Sequence, residues 1–165
     1  MSPSRIVLFL VGCAGVLIAF ALVWPLVAPA YAQLQIFCIQ PFVGVELRVD
    51  ALGIAVYHGE KLLTRREFLS FGGLGLTLAL WLMTPGFLWK RRTLWTALGL
   101  IILFFWHVVG LWGLIAFAQA VEAQRAGGLM ALLYSAIAVG DWIVPFLIWG
   151  LVLLRNYVRG SGAIP

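Results

Sequence analysis

Few side chains in this sequence could do chemistry, and they fall into two groups. Cys38, in "IFCIQ", and His58, in "AVYHGEK", stand in the chain's only sizeable polar stretch. A thiol beside an imidazole can act as a nucleophile, which would make the chain a membrane-embedded cysteine hydrolase. No third orienting group stands at a recognisable spacing, and the plainer reading of His58 is a solvated residue beside a turn. The second group is His107, in "LFFWHVVG", and Asp141, in "AVGDWIVPFLIWG", a stretch with no other charge. An aspartate so placed is a proton or ion site, a hydrogen-bonding partner of another helix, or a cap where a helix restarts between Gly140 and Pro145. One acidic group with no second carboxylate makes a poor translocation path. No CxxC, HExxH, phosphate loop or GxSxG elbow is present, so the expectation is no catalytic residue, no metal and no cofactor.

The elements that must position these residues are dictated by composition. Of 165 residues, 64% are hydrophobic and 10% charged, with a mean hydropathy of +1.07. A water-soluble domain is about half apolar and about a quarter charged. So much apolar surface cannot be buried in one small core. It marks a single integral membrane domain over 1–165, with the lipid bilayer as its first partner. The formal charge of +5 is therefore read against the membrane, and nucleic acid is not an expected partner. Four apolar runs long enough to cross cover about 6–27, 68–88, 93–118 and 129–154. The expected fold is an all-α four-helix transmembrane bundle. His107 lies about 14 residues into the third run and Asp141 about 13 from the end of the fourth. At 1.5 Å per residue both reach the same depth near the midplane. A short link joins these antiparallel neighbours, so a buried His107–Asp141 hydrogen bond is the leading expectation for the pair. The glycines of "FGGLG" (71–75) and "VGLWG" (109–113) permit close helix approach within the bundle.

Lys90, Arg91 and Arg92 form a basic turn between Trp89 and Trp95, as an interfacial anchor does. With the amino terminus inside, Arg5, this turn, Arg155 and Arg159 are cytoplasmic, against Arg48, Lys61, Arg65, Arg66 and Arg125 outside. The concentration of charge in the short turn decides for both termini cytoplasmic, in a bacterial inner membrane. "APAYAQ" resembles a signal-peptidase site ending at Ala32, and "LVGC" a lipoprotein box at Cys13. The apolar run is longer than a signal peptide's usual 7–15 residues and continues past the cysteine, which favours an uncleaved anchor.

Between the first two spans, residues 29–67 form the extracytoplasmic segment. "YAQLQIFCIQPF" reads as an interfacial helix ended by Pro41. In "VELRVDALGIAVYHGEKL", Val45, Leu47 and Val49 alternate with Glu46, Arg48 and Asp50, and "DALG" supplies a turn. A short β-hairpin follows, which needs support from the membrane surface or a partner.

"LALWLMTPG" (78–86) and "IVPFLIWGLVLLRNYV" (143–158), with this layout of one anchor, a strand-like outer segment and three more spans, resemble the small membrane proteins associated with exosortase H. The family pattern does not include Asp141. The resemblance implies an accessory role beside an exosortase, a multi-span cysteine protease or transpeptidase acting on secreted proteins with a carboxy-terminal sorting signal. The chain lacks such an enzyme's "CSG"-type cysteine and any arginine within a span, so it reads as the non-enzymatic partner. The alternatives are a small structural subunit of another inner-membrane complex, and the cysteine hydrolase above.

Overall fold

The computed structural model describes residues 3–84, 88–125 and 127–160. In chain order these form α1 (Pro3–Ile39), β1 (Glu46–Val49), β2 (Gly53–His58), β3 (Lys61–Glu67), α2 (Gly72–Met83), α3 (Trp89–Glu122) and α4 (Gly128–Gly160). The chain is mostly helical, and α1, α3 and α4 are long and apolar enough to cross a membrane.

The second apolar run departs most from the expected span over 68–88. Its regular helix, α2, has 12 residues, about 18 Å at the helical rise, against about 30 Å of hydrocarbon. A 3-10 turn, Phe68–Phe71, precedes it, and 85–87, which include Pro85 and Gly86 of the Thr-Pro motif, lie outside the described residues. β3 runs to Glu67 and the 3-10 turn follows it directly, so the regular helix starts only at Gly72 and the apolar count overstated it. What α2 loses in length it gains in burial. It packs against α1, α3 and α4, and most of its residues from Gly73 to Trp81 are buried.

The other runs extend beyond their expected limits. α1 continues through "YAQLQIFCI" to Ile39 as one helix of 37 residues containing Pro25 and Pro29. The expected separate interfacial helix is thus its last turns, followed by a 3-10 turn at Gln40–Phe42. α4 runs unbroken across Gly140 and Pro145, so no helix restarts at Asp141.

The outer segment is a three-stranded antiparallel sheet in the order β1-β2-β3. The anticipated hairpin is its first half, with Leu47 opposite Val56. Asp50 holds the turn, its Oδ1 accepting the Leu52 and Gly53 N–H groups at 2.9 Å each. β3 is new. "KLLTRRE" does not alternate, because most of the strand is half-buried between the sheet, the helices and a polar cavity. The sheet rests on the bundle: Val45, Leu47, Ile54 and Val56 share a core with Ile36 and Ile39 of α1 and Leu111 and Ile115 of α3. Gln40 pins β1, donating to the Val45 carbonyl at 2.8 Å and accepting the Leu47 N–H at 3.1 Å.

Candidate functional site

β3 descends along α3 and sets the site's outer wall. At one end Glu122 accepts Lys61 Nζ at 3.0 Å and pairs with His58 Nδ1 at 3.1 Å. At the other, Arg66 Nη1 donates to the His107 carbonyl at 2.6 Å, while its guanidinium lies 4.7 Å from the centre of the Phe71 ring.

His107 is fully buried and Asp141 3% exposed, and His107 Nε2 is hydrogen-bonded to Asp141 Oδ1. With Asp141 as a carboxylate, which can only accept, the shared proton belongs to Nε2. Nδ1 is then the acceptor for the Tyr31 hydroxyl, 2.7 Å away. Asp141 Oδ2 accepts the Gly73 N–H at 3.4 Å. Gly73 lies in the first turn of α2, whose free N–H groups and dipole favour a negative charge. One network therefore runs from α1 through α3 and α4 to α2. Asp141 bonds to His107 and caps a helix at once, but the helix is α2 and not a restarted α4.

Local sequence explains the approach. Pro145 has no N–H, so the carbonyl four residues earlier, that of Asp141, loses its helical partner. That carbonyl faces Gly73, where an added Cβ would overlap its oxygen. Gly72 lies as closely against Trp142, and Gly75 against Phe20. Around the network, Tyr31, Phe71 and His107 pack edge-to-face or tilted, with ring centres 5.0–5.8 Å apart.

Two spaces flank the network. A cavity of about 340 Å³ between β3, α3 and α4 is lined by Arg65, Arg66, Tyr134, Asp141 and Trp142, among others. An apolar cleft of about 300 Å³ between α1, α2 and α3 has Tyr31 in its wall. The Tyr31–His107–Asp141 chain connects the two.

The other sequence-derived candidates stand apart. Cys38 ends α1 half-buried and is a free thiol, whereas His58 is bound to Glu122. No hydrogen bond joins the two among the described residues. Cys13 lies within α1, its thiol 3.6 Å from the Ala79 carbonyl of α2. Lys90, Arg91 and Arg92 form the first turns of α3. Arg92 Nη1 donates to the Leu82 carbonyl at 3.0 Å, a cation on the carboxy-terminal end of α2. Among the described residues, no cluster of His, Cys, Asp and Glu could hold a metal ion. Sequence reasoning passed over Tyr31 and Arg66. Tyr31 falls in the expected interfacial helix, and Arg66 enters only as one of the outer-side charges. The "RRE" of 65–67, three residues before "FGGLG", is the available sign that charge approaches the bundle's interior. Among known proteins, the chain matches no protein-family model, no curated protein and no solved structure.

Proposed function

We propose that the chain is a multi-pass integral protein of a bacterial inner membrane, acting as a non-enzymatic accessory subunit of another membrane protein. An exosortase-type sorting enzyme is the partner implied by the sequence resemblance. The observation that carries this reading is the mutual hydrogen bonding of Tyr31, His107 and Asp141. Tyr31, His107, Asp141 and the Gly73 N–H form a closed set of hydrogen bonds tying four helices together. Such a set braces the helices against one another, and Arg66 of β3 joins the outer sheet to it through the His107 carbonyl. A polar bond between helices in lipid contributes about 1 kcal/mol, and linked bonds reinforce one another.

The placement follows from charge and backbone chemistry. Lys90 and Arg91 at the amino-terminal end of α3 oppose its dipole, so helix energetics do not explain these two, whereas anchoring on the cytoplasmic face does. Both termini then lie inside. Non-helical backbone at membrane depth is tolerated where protein or a water-filled cavity surrounds it. β3 meets that condition, with α3 on one side and the polar cavity on the other. On this reading β3, the Phe68–Phe71 turn and α2 jointly make the second crossing, which then contains Arg66, against the expectation of no arginine within a span.

Co-expression with an exosortase-type enzyme, extraction in mild detergent and capture through a tag on this chain should recover the enzyme in a defined ratio. Recovery of respiratory or photosynthetic subunits instead points to the structural-subunit alternative, and recovery of no partner in native membranes rejects the accessory role. A Cys38→Ala chain that retains full function excludes the cysteine-hydrolase alternative.

A further inference from the structure

We propose that the cavity between β3, α3 and α4 binds an aliphatic carboxylate, its head on Arg66 and its chain against Leu114, Ile137 and Trp142. The accessory role neither supplies nor requires such a site. The inference rests on an excess of hydrogen-bond donors over acceptors around a space large enough to admit a ligand.

Among the described residues Arg66 makes no ion pair, and its one hydrogen bond goes to the His107 carbonyl at 2.6 Å. Its remaining N–H groups have no acceptor there, yet the guanidinium lines a cavity of about 340 Å³. The two carboxylates in the wall are otherwise engaged. Asp141 accepts from His107 and from the first turn of α2. Glu67 lies exposed at the end of β3. Arg65 is neutralised by Asp50 at 2.6 Å, and its Nε is buried with no acceptor. The Tyr134 ring stacks on Phe117 with centres 5.4 Å apart, and its hydroxyl makes no hydrogen bond among the described residues, leaving it as a further donor.

A guanidinium in partly apolar surroundings is best satisfied by a planar acceptor that takes two parallel N–H bonds, which is the geometry of a carboxylate. Leu114, Ile137 and Trp142 supply an apolar wall, which favours a carboxylate bearing a hydrocarbon chain over a small hydrated ion. Such a ligand reaches the cavity either as a short acid from water or as an amphiphile from the bilayer.

Calorimetric titration of the purified full chain in a neutral maltoside detergent separates these sources. The probes are butyrate, decanoate, methyl decanoate and inorganic phosphate. Saturable binding of butyrate, decanoate or both is expected, butyrate indicating access from water and decanoate alone indicating an amphiphile. Arg66→Gln should weaken that binding about tenfold or more, the scale of a lost charge-assisted hydrogen bond. Ile137→Phe, which leaves the arginine in place and fills the wall, should weaken it as well and serves if Arg66→Gln fails to fold. The proposal is overturned if neither acid binds, if methyl decanoate or phosphate binds as tightly as the acids, or if affinity is unchanged in a folded variant.

Discussion

Asp141 gathers more of this protein's structure than any other side chain, and its neighbours rank the consequences of changing it. Asparagine retains one oxygen for the His107 N–H, but it loses the charge and turns its amide nitrogen, which cannot accept, toward the long Gly73 contact. Asp141→Asn should therefore cost about 1 kcal/mol, the scale of a weakened hydrogen bond. His107→Ala removes the partner and leaves a buried carboxylate with only the Gly73 N–H, a loss of about 3 kcal/mol or more. Equilibrium unfolding in mixed detergent micelles measures both, and an Asn variant less stable than the His107→Ala variant contradicts the capping-and-pairing account. His107 and Asp141 could be paired from sequence because depth along consecutive helices is simple arithmetic. Tyr31 and Arg66 could not, since no periodicity states that a strand will approach the middle of a helix.

Two secondary-structure elements owe their position to close backbone contact or to a single carboxylate. α2 touches α4 through Gly73, so Gly73→Ala drives a methyl group into the Asp141 carbonyl and should destabilise the bundle by about 1–3 kcal/mol. A Gly15→Ala control, where an added Cβ meets nothing within 4 Å, should be neutral or slightly stabilising in the same assay. The β1–β2 turn depends on ionised Asp50. Burial alone would raise its pKa, but the Leu52 and Gly53 N–H groups and the Arg65 guanidinium outweigh that and hold it below the ordinary aspartate value. A carboxyl group whose folded pKa is depressed stabilises the fold above its unfolded pKa of about 3.9 and loses that contribution as pH falls through the folded value. Amide exchange at Leu52 and Gly53, corrected for the intrinsic rate, should therefore accelerate below about pH 4 in the native chain. Asp50→Asn should show no such step; an identical step in that variant would assign the acid sensitivity elsewhere. The hairpin itself was legible because Leu47 alternates with Glu46 and Arg48 and a turn follows at Asp50. β3 was not, because a strand half-buried on both sides has no clean two-residue period.

For the molecule in its bilayer, the proposed arrangement makes a topological prediction. Single cysteines introduced at Glu60, in the β2–β3 turn, and at Arg91, in the basic turn, into a chain lacking Cys13 and Cys38 should label from opposite sides. In intact cells a membrane-impermeant maleimide should modify position 60 and leave position 91 until the membrane is opened. The reverse pattern inverts the orientation, and labelling of both in intact cells contradicts the crossing assigned to β3 and α2.

Hydrophobic excess, the four apolar runs, the basic turn between tryptophans and the β1–β2 alternation could all be read along the chain. Each is a property of neighbours within one or two turns, and local chemistry suffices to express it. The shortness of α2, the third strand, and the meeting of Tyr31, Arg66, Gly73, His107 and Asp141 were decided only when distant segments packed. Gly73 and Asp141 are 68 positions apart, and Tyr31 and His107 are 76 apart. Their contact depends on how closely α2 can approach α4 and on how far β3 reaches along α3, which are properties of shapes fitted together and not of any single stretch of residues.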